Sequence, residues 1–290
     1  MPIVLKNATC PYCGVALHRQ NRAKEHVIGR RFVPKGKLAG EWNLILYACK
    51  KCNGEKADLE DDISAITMQP DAWGEHAVDD PVLIAEAGRK GASSKSRRTR
   101  KPVKESTEQL SVDMPFGPSV KMTFGLHSAP QIDPHRAFRL AQLQTQGFFY
   151  WLTFNKASGK GGYWPGSFFP VSTSVRSDWG NATDRAFMNA VLDWEVRLLG
   201  VAAKGFFKVA IRRHPNAICW SWAYEWNHSL RVIGYFGDQG EAQILVDALL
   251  EAAWKVIPQG QNEILRYREE VRLADTDDKL FAQPSTQASS

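Results

Sequence analysis

Four of the five cysteines stand in two C-x-x-C pairs, Cys10 and Cys13 in "CPYC" and Cys49 and Cys52 in "CKKC", with 35 residues between them. Each pair makes a tight turn carrying two thiolates, and two such turns supply the four sulfurs of a tetrahedral metal site. The opening "MPIVLKNATCPYC" has no basic region followed by an apolar run and a cleavage site, so no secretion signal is read there and a reducing, cytoplasmic setting is expected. In that setting the pattern predicts Zn²⁺ rather than disulfides. Four thiolates leave zinc no open position, so this zinc is structural. The remaining Cys219 lies in "AICWSW" and reads as a small buried side chain.

Between the cysteine pairs, "AKEHVIGR" sets Glu25 beside His26, with Arg22, Lys24 and Arg30 around them. Imidazole titrates near neutrality, which suits a general base. Asn43 opens the apolar run "NLILYAC", Asn53 directly follows Cys52, and Lys56 lies one helical turn further on.

Together these elements resemble the HNH endonucleases, or ββα-metal nucleases. That family's pattern is C-x-x-C, an acid-His pair, an Asn starting an apolar run, then C-x-x-C-[HN]-x-x-K; here it is matched by "CPYC", "EH", "NLILYACKKCN" and "GEK". The resemblance covers roughly residues 8–62 and nothing beyond. It implies hydrolysis of DNA phosphodiesters, by nicking or double-strand cleavage, with RNA left open as a substrate. His26 is then the general base, and Asn43 orients the imidazole or its loop. Glu25 and Asn53 hold a catalytic Mg²⁺ or Mn²⁺ against the phosphate, Lys56 touches phosphate or caps the site, and the surrounding charge of Arg22, Lys24 and Arg30 holds the backbone. Two positions depart from the pattern. Glu25 stands where Asp is commoner, and Gly29 stands where Pro is frequent, which predicts a looser loop. Both favour a second reading, a zinc knuckle that holds nucleic acid without cutting it.

The charge distribution agrees with a polyanionic partner. Net charge is +6, and residues 1–60 alone carry eleven Lys or Arg against five Asp or Glu. Residues 89–104, "RKGASSKSRRTRKPVK", carry eight basic residues and no acid, whereas 61–88 has seven acids and no Lys or Arg. Arg97, Arg98, Arg100 and Lys101 are therefore candidate phosphate contacts, the alternative being a solvated spacer.

The elements that must position these groups follow from periodicity and punctuation. A strand near 14–18, a strand or extended turn at 25–29, a loop through "RRFVPKGKLAGEW", an apolar strand from Asn43 and a short helix from about Cys52 complete the zinc module. The segment 63–88 reads as an acidic connection with one short helix near 82–87, and "QLSVDMPFGPSVKMTF" as a hairpin. Amphipathic helices are predicted over "PHRAFRLAQLQTQGFFYWLTF", "TDRAFMNAVLDWEVRLLG" (capped by Thr183, closed by Gly200) and "EAQILVDALLEAAWKVI", with a polar helix over 261–274. Runs at 205–212, 217–226 and 229–236, joined by short turns, predict an antiparallel meander. Within it, "WSWAYEW" puts Trp220, Trp222, Tyr224 and Trp226 on one strand face. Such a face suits base stacking or a sheet core, and the helices available to cover it favour core.

The expected fold class is α+β. A zinc-stabilised ββα-metal (HNH) module (1–62) is followed by an acidic connection and basic linker (63–104), a separate α+β accessory domain (105–275) and a disordered tail (276–290). The accessory domain is expected to set targets, restrain the nuclease or dock a protein partner, in a restriction or anti-phage setting by analogy of architecture alone. No apolar run is long enough for a membrane span.

Overall fold

The computed structural model describes residues 1–115, 117, 120–164, 166–249, 255–259 and 263–282. The N-terminal part is a three-stranded sheet with one long helix. Strand β1 (Ile3–Val4) runs parallel to β3 (Leu44–Cys49), and β2 (Arg22–His26) pairs antiparallel with β3 in the register Arg22↔Cys49 to His26↔Ile45. Cys49 caps α1 (Lys50–Thr67), whose buried stripe of Cys52, Lys56, Leu59, Ile63 and Ile66 recurs at helical spacing. The order β2, β3, α1 gives a strand–strand–helix unit, and its helix is longer than its polar composition suggested.

The next helix, α2 (Pro81–Ser93), begins with Asp80 accepting from the Val82 and Leu83 N–H groups and with Pro81 in the first turn. A hairpin follows, β4 (Glu108–Pro115) with β5 (Lys121–Ser128). Then α3 (Pro134–Leu152) starts on an Asp133 cap. After it come β6 (Ser167–Val175), α4 (Ala182–Val191), β7 (Glu195–Ala202), β8 (Phe207–Arg213), β9 (Cys219–Trp226) and β10 (Leu230–Gly237). The five strands form one antiparallel sheet in the order β6-β10-β9-β8-β7. Last are α5 (Gln239–Asp247) and the pair β11 (Lys255–Gln259) and β12 (Glu263–Tyr267). Helices and antiparallel sheets thus give a mixed α+β fold, and no helix among the described residues is long and apolar enough to cross a membrane.

The predicted meander is present, and Trp222, Tyr224 and Trp226 are core, each fully buried. Cys219 is buried on the opposite face.

Several expectations fail for physical reasons. The helix over 183–200 stops at Val191. "EVRLLGVA" pairs instead with β8, the Asn181 side-chain oxygen rather than Thr183 caps the helix start, and Gly200 admits the Trp42 ring where a Cβ would stand. The third helix ends at Asp247; 250–254 of its predicted span lie outside the described residues, its last residues 255–257 begin β11, and 263–267 of the predicted polar helix form β12. Part of the expected tail is packed: Leu280 is buried, Asp278 pairs with Arg231 at 2.5 Å, and only 283–290 lie outside the described residues.

The boundary expected at 63–104 is not a gap in the packing. A single hydrophobic cluster joins Val27, Phe32 and Leu46 to α3 and to Phe207, Trp222 and Trp226 of the large sheet. Phe32 meets Trp226 edge-on at 5.4 Å, and Asn227 Nδ2 donates to the Phe32 carbonyl and to Thr67 Oγ1. The "linker" itself is α2 and an ordered turn laid along α1, held where Arg97 pairs with Asp58 at 2.6 Å.

Candidate functional site

The two cysteine pairs meet. Cys10 and Cys13 lie on a knuckle closed by the Gly14 N–H donating to the Cys10 carbonyl, with Gly14 at φ +77°, a conformation that glycine adopts freely. Cys49 and Cys52 lie at the start of α1, where the Cys52 N–H points at Cys49 Sγ. All four sulfurs fall within 4.8 Å of one another, and the Cys13 and Cys49 sulfurs are 3.7 Å apart. A tetrahedron with metal–sulfur bonds of about 2.3 Å has edges of about 3.8 Å, so the set fits zinc. Burial is the main cause that pushes the Cys10 thiol up to about 11; burial, then the neighbouring cysteines, raise Cys52 further. A bound dication would reverse that by stabilising the thiolates.

Side chains alternate along β2. Ala23 and Glu25 face inward, while Arg22, Lys24 and His26 face outward. Inward, the Glu25 carboxylate is almost wholly buried, accepting from Tyr12 Oη at 3.2 Å and pairing with Lys56 Nζ at 2.8 Å. The same Nζ pairs with Glu60 at 2.5 Å and donates to the His26 carbonyl at 3.0 Å. Burial would lower the Lys56 pKa, but the Glu25 and Glu60 charges overcome it and raise it. Burial, aided by Glu25 and opposed by Lys56, raises that of Glu60.

This cluster corrects two assignments. Glu25 is not free to hold a catalytic cation, because its carboxylate faces an ammonium inside the module. Lys56 is sealed from solvent and cannot touch a phosphate. The donor set therefore does not fit Mg²⁺ or Mn²⁺ through Glu25 and Asn53. Asn53 itself is half-buried in the first turn of α1, apart from this ion cluster. The cluster also explains Gly29. Its N–H donates to Glu60 Oε1 at 3.2 Å, and a Cβ there would overlap that carboxylate. Proline would remove the donor and fill the same space, so Glu60 pins this loop where a ring would otherwise stiffen it.

Asn43 is buried beneath the same loop. Its Nδ2 donates to the Ile28 carbonyl at 2.7 Å, and its Oδ1 accepts from the Ile28 N–H at 3.2 Å. Such a two-way clamp fixes the backbone two residues past His26, so Asn43 acts on the loop, not on the ring.

Outward, His26 is half-buried at the end of the strand. Burial, then the positive charges of Arg30, Lys24 and Lys56, lower its pKa, so the ring is neutral at neutral pH and can accept a proton. Arg22 and Lys24 share its strand face, and Arg30 is exposed just beyond. None of these three makes an ion pair among the described residues. Arg22 instead lies over the Tyr47 ring at 4.6 Å. Arg97 pairs with Asp58, and Arg98 with Glu108 at 2.7 Å, while Arg100 and Lys101 are exposed and make no ion pair among the described residues. Unpaired positive charge thus lies beside His26 and also at Arg100 and Lys101, and half of the linker's candidates are engaged by acids.

Comparison with known proteins gives no matching family model, no matching curated protein and no matching solved structure.

Proposed function

We propose that the chain is an endonuclease of the HNH type that hydrolyses nucleic-acid phosphodiesters, with DNA as the expected substrate. The observation that carries this reading is the outward face of β2. It presents an imidazole held neutral near Lys24 and Arg30, with Arg22 further along the same strand face, none of them matched by a carboxylate among the described residues. Such a face holds a phosphate backbone by its cations and offers a base to a water beside it. His26 takes the proton as the water oxygen attacks phosphorus and the 3′ oxygen leaves. Asn43 keeps the loop in place, and the zinc keeps the two strands and the helix together.

The family's divalent cation stays within the proposal only as an added reactant, Mg²⁺ or Mn²⁺, whose charge would offset that developing on the phosphate. No ligand role is assigned to Glu25. The remainder of the chain, joined through one core, is proposed to set target choice or dock a partner, in the cytoplasm. A specific observation also favours the second reading, a zinc-held nucleic-acid-binding module without cleavage: the Glu25–Lys56 pair closes the position at which an acid would ligate metal. Incubating supercoiled plasmid with the zinc-loaded protein, with and without Mg²⁺ or Mn²⁺, decides between them. Open-circular or linear product supports the nuclease, whereas retarded but uncut plasmid supports the binding module.

A further inference from the structure

The loop that leaves His26 presents two arginines on a fastened turn. The Phe32 N–H donates to the Gly29 carbonyl at 2.9 Å, so Gly29–Phe32 is a β-turn with Arg30 and Arg31 at its centre. Both arginines are exposed, while Ile28 and Gly29 before them and Phe32 and Val33 after them are buried. Neither guanidinium makes an ion pair or a hydrogen bond among the described residues. The backbone beneath them is held at three residues. The Gly29 N–H donates to Glu60 Oε1, and the Arg31 carbonyl accepts from Ser64 Oγ at 3.2 Å and from the buried Lys90 Nζ. The Phe32 carbonyl accepts from Asn227 Nδ2 at 3.1 Å.

Glu60, Ser64 and Lys90 stand on α1 and α2, but Asn227 comes from the hairpin between β9 and β10 of the large sheet. It stands there against a backbone preference. Its φ is +52° and that of His228 is +58°, a left-handed conformation that glycine adopts most freely. Its side chain is fully buried, and its Oδ1 has no hydrogen-bond partner among the described residues. A glycine would make the same turn with neither strain nor an orphaned oxygen. What asparagine adds is the amide N–H pair, which reaches the Phe32 carbonyl and, at 2.8 Å, Thr67 Oγ1.

We infer that the Gly29–Phe32 turn is a preorganised two-arginine contact for a nucleic-acid backbone beside His26, with Asn227 as the residue of the large sheet that positions it. The inference rests on the nucleic-acid reading given above and extends it twice. It adds Arg31 to the cations that face phosphate, and it gives the large sheet a part in binding. Two unengaged guanidiniums on adjacent turn residues present their donor forks to phosphate oxygens of one backbone. A turn fastened beneath them leaves less freedom to be lost on contact. A nucleic acid also meets Lys24 and Arg22 along the neighbouring strand face, which a single acidic side chain would leave unanswered.

The test uses full-length, zinc-loaded protein carrying His26→Ala, so that DNA stays intact, and a short labelled duplex titrated at several salt concentrations. Arg30→Ser and Arg31→Ser, at exposed positions that do not burden the fold, should each flatten the log–log salt slope by about 0.9. Asn227→Gly keeps the left-handed turn, so its zinc content and its exchange protection in β8 to β10 should match the parent. It should nevertheless speed amide exchange at Gly29 and Phe32 and weaken duplex binding roughly five-fold, the scale of ordering one long side chain. Added to Arg30→Ser and Arg31→Ser together, it should change affinity little further, because the contacts it positions are already gone. An asparagine that served the turn alone would be replaced by glycine with no loss of binding, and that result overturns the inference. Unchanged salt slopes in both arginine variants overturn it too, as does an Asn227→Gly loss that adds in full to theirs. If the native chain cuts plasmid while these measurements fail, the two-arginine contact falls alone. If they succeed while plasmid stays uncut, the contact stands and the nuclease reading falls.

Discussion

Strand β2 treats charge in opposite ways on its two faces. Inward, Glu25 and Lys56 are buried with the half-buried Glu60 beside them, and each charge has a partner within 2.8 Å. Outward, Arg22, Lys24 and Arg30 surround a half-buried His26 with no acid among the described residues to answer them. Five consecutive residues thus contribute to both a structural ion cluster and an unanswered positive surface, separated only by the alternation of a strand. Charges matched inside the fold hold the fold, and charges left unmatched at its surface are available to a partner. Both faces depend on the four-cysteine cluster of Cys10, Cys13, Cys49 and Cys52, which joins the knuckle to the start of α1.

Disrupting the metal site that these cysteines can form should erase the comparison, and it is the largest effect expected. Cys49→Ser, or prolonged chelation, should abolish stoichiometric zinc by elemental analysis and unfold the strand–strand–helix unit, because metal binding in such units is folding free energy. Hydrogen exchange should show loss of protection over 1–68 and retained protection in β8 to β10, whose face toward α4 and α5 has its own cluster around Phe187, Ala223 and Tyr235. Full protection without metal would refute the zinc frame.

Breaking only the inward face should cost less. Lys56→Met leaves two buried carboxylates without their cation, and stability measured by denaturant should fall by about 3–5 kcal/mol at neutral pH. Glu60 has a folded-state pKa raised above its unfolded value, so its favourable contribution is present at low pH and lost as pH rises through the raised value. The deficit of Lys56→Met should therefore be largest at neutral pH and should narrow as pH falls toward about 4. A deficit independent of pH would mean that the carboxylates are not the cause.

How much of this could be read in advance varies with how local the cause is. The cysteine frame was legible, because metal spacing is written in short sequence. Asn43 was legible as a loop-holding residue by position, though its partner, the Ile28 backbone, needed the fold. Glu25 was misassigned because its fate depends on Lys56, 31 residues away in sequence, and on Glu60 lying one turn beyond Lys56. The run 89–104 read as a linker because its own composition lacks acid, while its acids, Asp58 and Asp61, lie on α1. Two helices were drawn too long where apolar spacing continues past the last helical turn into a strand, at Trp194 and again before Lys255. Helical periodicity and a pairing edge look alike there until the partner strand is known.

The outward face is tested by salt. Replacing Arg22 and Lys24 with Ser should flatten the log–log dependence of duplex binding on salt by about 0.9 for each phosphate no longer neutralised. Replacing Arg97 and Arg98 should leave the slope nearly unchanged, since both already face carboxylates. The reverse result would move the phosphate surface to the former linker and dissolve the contrast between the two faces.

The most direct measurement is plasmid conversion by His26→Ala beside the native chain, each with one zinc, in Mg²⁺ and in Mn²⁺. The account predicts that the native protein nicks or linearises the plasmid. It predicts that the variant binds DNA with similar affinity, keeps its zinc and leaves the plasmid supercoiled. Cleavage by the variant at the native rate would contradict the account, as would a native chain that binds but never cuts.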